Sequence, residues 1–210
     1  MALYVLAFSD TDLGAWTSGR RRLRTVKLGA AYAVYERRAA VPDLTDDILR
    51  AQYEAVIEIA GRSRATLPAR FGALIEERDL VAWARSHDAE LRQALDDVRD
   101  RVQMTIRVLG KAAAAARTPS PVASGRAYLE ARRQSLVPAL PEAAQELLEM
   151  LRPLVVRERM EAGRGGLLAT VYQLISSHDL AAYRRAAAAA PPDAVISGPW
   201  PPFAFAPRLW

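Results

Sequence analysis

Apolar and polar positions follow two periods along this chain, and the switches between them mark out strands and helices. Leu3 to Phe8 is a nearly unbroken apolar run closed by Ser9-Asp10-Thr11-Asp12-Leu13-Gly14, the pattern of a buried strand entering a turn. Leu23 to Leu28 mixes apolar and basic residues, and beyond Gly29 the run Ala30 to Tyr35 is apolar with aromatics at Tyr32 and Tyr35. These two runs predict a strand pair joined as a hairpin. After Pro42-Asp43 the period changes. Thr45 is placed as an N-cap, and Asp46 and Asp47 meet the positive end of a helix dipole. Ile48, Leu49, Tyr53, Val56, Ile57 and Ala60 then share one helical face, while Arg50, Glu54, Glu58 and Arg62 recur every four residues on another, with Gly61 as the stop.

The same alternation of periods continues. Ala65 to Leu74 reads as an extended element in which Pro68 favours a sheet edge and Gly72 allows a bend. Leu80, Ala84, His87, Leu91, Leu95 and Val98 predict one helix from Glu76 to about Arg99, and Val102, Met104, Ile106 and Val108 alternate with polar residues as a half-buried strand ending at Gly110. Lys111 to Ser124 reads as a connection. Beyond it the pattern predicts helices from Gly125 to Arg133 and from Pro141 to Glu161, the latter kinked at Pro153, and a glycine break at Gly163, Gly165 and Gly166. A strand from Leu167 to Ile175, a helix from His178 to Ala190 and a short strand from Ala194 to Ser197 complete the series. The order implies an α+β protein of two small domains with antiparallel sheets and packed helices, residues 1–112 and 125–210, joined by a linker at about 113–124. No internal repeat relates the halves.

The last segment, 198–210, breaks both periods. Gly198-Pro199-Trp200-Pro201-Pro202-Phe203-Ala204-Phe205-Ala206-Pro207 carries four prolines in nine positions, which fix φ and remove backbone donors, so it predicts an extended tail. Its aromatics need a surface, either on their own domain or on a partner; the strand before the tail favours the first.

Composition narrows the possible functions. The chain has 29 basic and 24 acidic residues, a net charge of +5 and no cysteine. Disulfides, thiolate metal sites and cysteine nucleophiles are thereby excluded, and a reducing compartment fits. The N-terminus reads as a strand rather than a secretion leader, and no apolar run approaches the roughly 18 residues of a bilayer span, so a soluble cytoplasmic protein with no membrane partner is expected. The basic residues concentrate at Arg20, Arg21, Arg22, Arg24 and Lys27. Nucleic acid is one partner such a cluster fits, and an acidic protein surface another. The cluster lacks interleaved aromatics for base stacking, and a solvated, charge-guarded strand edge accounts for it.

Catalytic chemistry is sparse. His87 falls on a predicted apolar face and His178 beside Asp179 at a predicted helix start, neither with metal-ligand spacing. Gly163-Arg164-Gly165-Gly166 follows a predicted helix and precedes a strand, the reverse of a phosphate loop's order, and reads as a turn. Asp46-Asp47, Glu76-Glu77 and Asp96-Asp97 sit at helix ends or on exposed faces. No catalytic, metal or cofactor site is predicted, and an interaction protein is the class that remains.

Three segments resemble one family. Leu67-Pro68-Ala69-Arg70-Phe71-Gly72 is similar to a Leu-Pro-x-Arg-Phe-Gly segment, Gly125-Arg126-Ala127-Tyr128-Leu129-Glu130 to a Gly-x-x-Tyr-Leu helix start, and the tail from Gly198 to Phe205 to the carboxyl end of the gas vesicle GvpF/GvpL family. The opening Leu3-Tyr4-Val5-Leu6 also looks like that family's first strand. Gln103-Met104 with Arg107 and Phe203-Ala204 depart from its commoner residues. The resemblance implies two α+β domains, at least one ferredoxin-like. It also implies a minor gas vesicle component that contacts the shell protein GvpA and other accessory proteins and limits aggregation while a vesicle nucleates. The motif residues Leu67, Pro68, Arg70, Phe71, Gly72, Tyr128, Leu129, Gly198, Pro199, Trp200, Pro201, Pro202 and Phe203 are then structural or partner contacts, and Arg20, Arg21, Arg22 and Arg24 electrostatic ones. The alternative from composition alone is a basic nucleic-acid-binding protein.

Overall fold

The computed structural model of the chain describes residues 2–110 and 140–207. They form two compact units, 2–102 with 200–207, and 103–110 with 140–199. The Gly125 to Arg133 segment, with Tyr128 and Leu129, and the linker at 113–124 lie outside the described residues.

The first unit is built on β1 (Ala2–Ser9), whose run of apolar residues is buried from Leu3 to Phe8. Its sheet also holds β2 (Ala15–Ser18), β3 (Arg21–Leu28), β4 (Ala31–Arg38) and β5 (Thr66–Pro68) in the order β2-β3-β4-β1-β5, and β6 (Leu74–Ile75) pairs with β1 as well. All these pairings are antiparallel. The hairpin expected around Gly29 is β3–β4; β2, too short and mixed to show a period, was not foreseen. Along β1, Val5 faces Tyr35 but Ala7 faces Val34, so Leu6 is an extra residue. This bulge sends Tyr4 and Phe8 to opposite faces. Tyr4 donates to Gln52 Oε1 on α1 (Asp46–Gly61) at 2.6 Å, and the Phe8 ring lies 5.7 Å from that of Trp83 on α2 (Glu77–Ser86). One face therefore packs Tyr4, Leu6, Leu23 and Val34 against Val56 and Ile59 of α1.

The helix expected from Glu76 to Arg99 is two helices, α2 and α3 (Asp88–Val98), broken at His87 with φ −120° and ψ 19°. Side chains compete for the backbone there: Ser86 Oγ donates to the Trp83 carbonyl at 2.8 Å, and His87 Nδ1 lies 2.9 Å from the same oxygen. Asp88 and Glu90 then supply acidic charge to the first turn of α3.

The second unit holds a sheet ordered β10-β7-β9-β8, formed by β7 (Arg101–Leu109), β8 (Val155–Ala162), β9 (Leu167–Ser176) and β10 (Ala194–Trp200). Three differences from the sequence expectation follow. The strand ending at Gly110 was placed in the first domain, yet β7 is an inner strand of this sheet, where Gln103 to Ile106 are buried in succession. The helix starting at Pro141 covers Glu142–Leu151, and Pro153 ends it instead of kinking it, through a short 3-10 turn at Arg152–Leu154. The stretch that the sequence predicts as the rest of this helix, to Glu161, is instead β8, which forms a hairpin with β9 across the glycine turn.

The helix Glu142–Leu151 buries Ala144, Leu147 and Leu151, and the helix Leu180–Ala187 buries Tyr183. Tyr183 donates to Gln173 Oε1 at 2.6 Å, and Gln173 Nε2 donates to Glu158 Oε2 at 2.7 Å. Tyr183→Phe leaves the buried Gln173 oxygen without this donor and is expected to cost about 1–3 kcal/mol in urea unfolding. Burial raises the phenol's pKa strongly above its ordinary 10.0. Only the unfolded phenol ionises near that value, so this residue's stabilisation is full below pH about 10 and is lost as pH rises further. Wild-type stability should fall more steeply on that alkaline side than the variant's.

Candidate partner-binding surface

The Leu67 to Gly72 segment fastens to β1. Leu67 faces Phe8 and Pro68 faces Ala7, then the chain leaves the sheet after Ala69 donates to the Leu6 carbonyl at 2.9 Å and returns where Val5 donates to Ala73 at 2.8 Å. Within this excursion the Phe71 ring sits edge-on to Tyr4 at 6.3 Å, and Gly72, with φ +88°, donates its N–H to the Tyr4 hydroxyl at 3.2 Å. Tyr4 thus joins the motif to α1 through Gln52. Arg70 differs from its neighbours: it is exposed, and its side chain makes no hydrogen bond or ion pair with any described residue. Tyr4→Phe severs both links while leaving the ring in place. It is expected to cost about 1–3 kcal/mol, measured by urea unfolding.

The tail does not run extended throughout. β10 carries it through Gly198, Pro199 and Trp200, and Pro201 and Pro202 are buried. The four residues after Pro202 are not proline, so their N–H groups are available. Phe205 and Ala206 donate to the Pro202 carbonyl at 3.1 and 3.0 Å and turn the chain. The aromatics close on α1: the Tyr53 ring stacks on Phe203 at 5.4 Å and lies 5.6 Å from Trp200. Phe203 also packs against the α1–sheet core. Residues 200–207 therefore complete the first unit, whereas the sequence reading assigned the whole tail to the second domain. Desolvation raises the pKa of the Tyr53 phenol.

The apolar face of α1 is turned from the one its period suggested. Gln52, Ala55, Val56 and Ile59 point inward, because Tyr4 requires Gln52, and Leu49 and Ile57 remain 41% and 39% exposed. Leu49, Tyr53 and Ile57 are four residues apart and form one row. Leu44, before the helix, is 68% exposed. The outcome is an apolar strip beside a docked aromatic cluster, with Arg50 and Glu54 exposed on the same helix. This row was hidden in the sequence because its residues were counted as core.

Strand alternation divides the arginine cluster. Arg21 is buried and bonds Glu36 at 2.8 Å, and Arg38 reaches the same carboxylate. Arg20, Arg22 and Arg24 are exposed. The remaining candidates are structural in position. His87 stacks on Trp83 at 5.0 Å, and the His178 N–H is capped by Ser176 Oγ at 3.2 Å. Among the described residues no group of three or more His, Cys, Asp or Glu could hold a metal ion, and no helix is long and apolar enough to cross a membrane.

The fold has solved counterparts. The crystal structure of the gas vesicle protein GvpF from Anabaena sp. PCC7120 superposes with a TM-score of 0.74 at 14% identity, covering 98% of this chain and 96% of that one. GvpF from Microcystis aeruginosa superposes with a TM-score of 0.75 at 11% identity, covering 98% and 99%. No curated protein sequence matches the chain. The family model described as gas vesicle synthesis protein GvpL/GvpF matches residues 2–207, nearly the whole chain. The chain belongs to the GvpL/GvpF family of gas vesicle proteins.

Proposed function

We propose that this protein is an accessory factor of gas vesicle formation that binds the shell protein GvpA, together with other accessory proteins, and keeps shell subunits from aggregating while a vesicle nucleates. It acts by covering apolar surface and not by catalysis, in the cytoplasm and at the growing vesicle. The observation that carries this reading is the row of exposed Leu49 and Ile57 flanking half-buried Tyr53, beside the docked Trp200 and Phe203, in a chain of a gas vesicle family. A contiguous apolar strip is the feature that takes up another apolar surface, and unassembled shell subunits expose such surface. Arg70, exposed at the foot of the motif, is a polar contact for the same partner. A ferredoxin-like reading of the second unit is supported by the order of its described elements, strand, helix, two strands, helix and strand, with spatial order β10-β7-β9-β8.

Deletion of the coding sequence in the native host should abolish or reduce vesicles, with the wild-type gene restoring them. Complementation with Leu49→Glu/Ile57→Glu should fail although the protein accumulates. Vesicles of normal number without the gene would reject the proposal.

A further inference from the structure

The surface strip on α1 leaves the arginine cluster unexplained. The strand pattern presents Arg22 and Arg24 on the sheet face opposite α1, since Leu23 between them packs into the α1 side. Nine of the fifteen arginines in residues 2–102 are engaged: Arg21 and Arg38 with Glu36, Arg37 with Glu77, Arg62 with Glu58, Arg64 with Asp100, Arg78 with Asp79, Arg92 with Asp88, Arg99 with Asp10 and Asp96, and Arg101 with the Asp97 carbonyl. The Arg20, Arg22 and Arg24 side chains make no hydrogen bond or ion pair with a described residue and are exposed. Their neighbours on β2 are small. Ala15 faces Arg24 and Thr17 faces Arg22 in the register, and both are exposed, so nothing bulky stands between the guanidinium groups and the sheet edge. β2 is the last strand in the order, and among the described residues no strand pairs with its outer edge.

We infer that β2 accepts an acidic, extended segment of a partner protein as an added strand, with carboxylates at alternate positions directed to Arg22 and Arg24. An added strand would lie about 10 Å from β3, two inter-strand spacings, a distance an arginine and a glutamate can close together across Ala15 and Thr17. Residues two apart share a face, so an acidic residue at every second position places its charges on the arginine side. Backbone pairing supplies the geometry and the arginines supply selectivity. Single-stranded nucleic acid fits this face less well. Trp16, the aromatic of β2, is turned to the other side under the Arg62 guanidinium, and Tyr35, opposite Arg24, is buried, so no base-stacking platform is offered.

The probe is a fluorescein-labelled peptide of about eight residues in which glutamate alternates with valine, titrated with the full chain and followed by fluorescence anisotropy. Binding is expected at about 50 mM salt and should weaken at least about tenfold at about 300 mM. Arg22→Glu/Arg24→Glu should weaken it by a similar factor while melting like wild type, and Arg78→Glu, at a position whose side chain is 87% exposed elsewhere in the unit, should leave it unchanged. Hydrogen exchange at β2 amides should slow when the peptide is bound. Failure of the peptide to bind, binding that survives the double charge reversal, or binding without protection in β2 would each overturn the inference. Tighter binding of single-stranded DNA through the same arginines would also overturn it, by making the face a nucleic-acid surface.

Discussion

Gly198→Ala is expected to destabilise the second unit by about 2–6 kcal/mol, a large fraction of what holds a domain of this size. Gly198 has φ +130°, a conformation that L side chains rarely adopt. A Cβ there would lie 2.8 Å from Met104 Sδ and 2.9 Å from the Gln103 carbonyl oxygen. The methionine can move, being unbranched and flexible. The carbonyl cannot, because Gln103 belongs to β7, an inner strand of the sheet. Urea unfolding of the variant should therefore show a lower midpoint with an unchanged slope. Gly165→Ala is the control: φ is +64° but nothing lies within 4 Å of its added carbon, so it carries backbone strain alone, about 1 kcal/mol. Equal losses at both sites would show that β7 does not crowd Gly198.

The second large effect concerns the tail. Trp200→Ala/Phe203→Ala is expected to cost about 3–4 kcal/mol in thermal or urea unfolding of the isolated protein. Full burial of such rings is worth about 3–5 kcal/mol each, but both are only half-buried here, and they share Tyr53, so their losses do not simply add. The loss follows from position: Phe203 packs against the core cluster that α1 and the sheet form in the first unit, and both rings lie against Tyr53. A tail that serves a partner alone would leave the unfolding curve of the free protein unchanged, and that result would remove it from the fold.

Local patterns carried most of the elements. β1, β3, β4, α1, β7 and β9 are each long enough to show a period, and each lies where its pattern placed it. What the pattern missed depended on tertiary partners. β8 has exposed charges along most of its length, so no alternation marks it, and its identity comes from pairing with β9 across the glycine turn. The break at His87 depends on two polar side chains reaching one carbonyl, which a hydrophobic period cannot register. The α1 face was misaligned because a buried Gln52 was discounted as polar, although the Tyr4 hydroxyl makes it an inward residue. The motif residues were visible as a family likeness, while their work, joining β1 to α1 through Tyr4 and closing the first unit with Trp200 and Phe203, required the fold. The apolar row at Leu49 and Ile57 was the least legible feature, since exposure, not residue type, distinguishes it from core.

The central claim is that the α1 row covers apolar shell surface, and the most direct measurement is the aggregation of GvpA diluted from denaturant with and without this protein, followed by light scattering and by sedimentation. Stoichiometric wild-type protein is predicted to suppress scattering and keep GvpA in the supernatant as a co-migrating complex. Leu49→Glu/Ile57→Glu, with an unfolding curve like that of the wild type, should do neither. Undiminished aggregation in the presence of the folded wild-type protein, with no co-migration, would contradict the account.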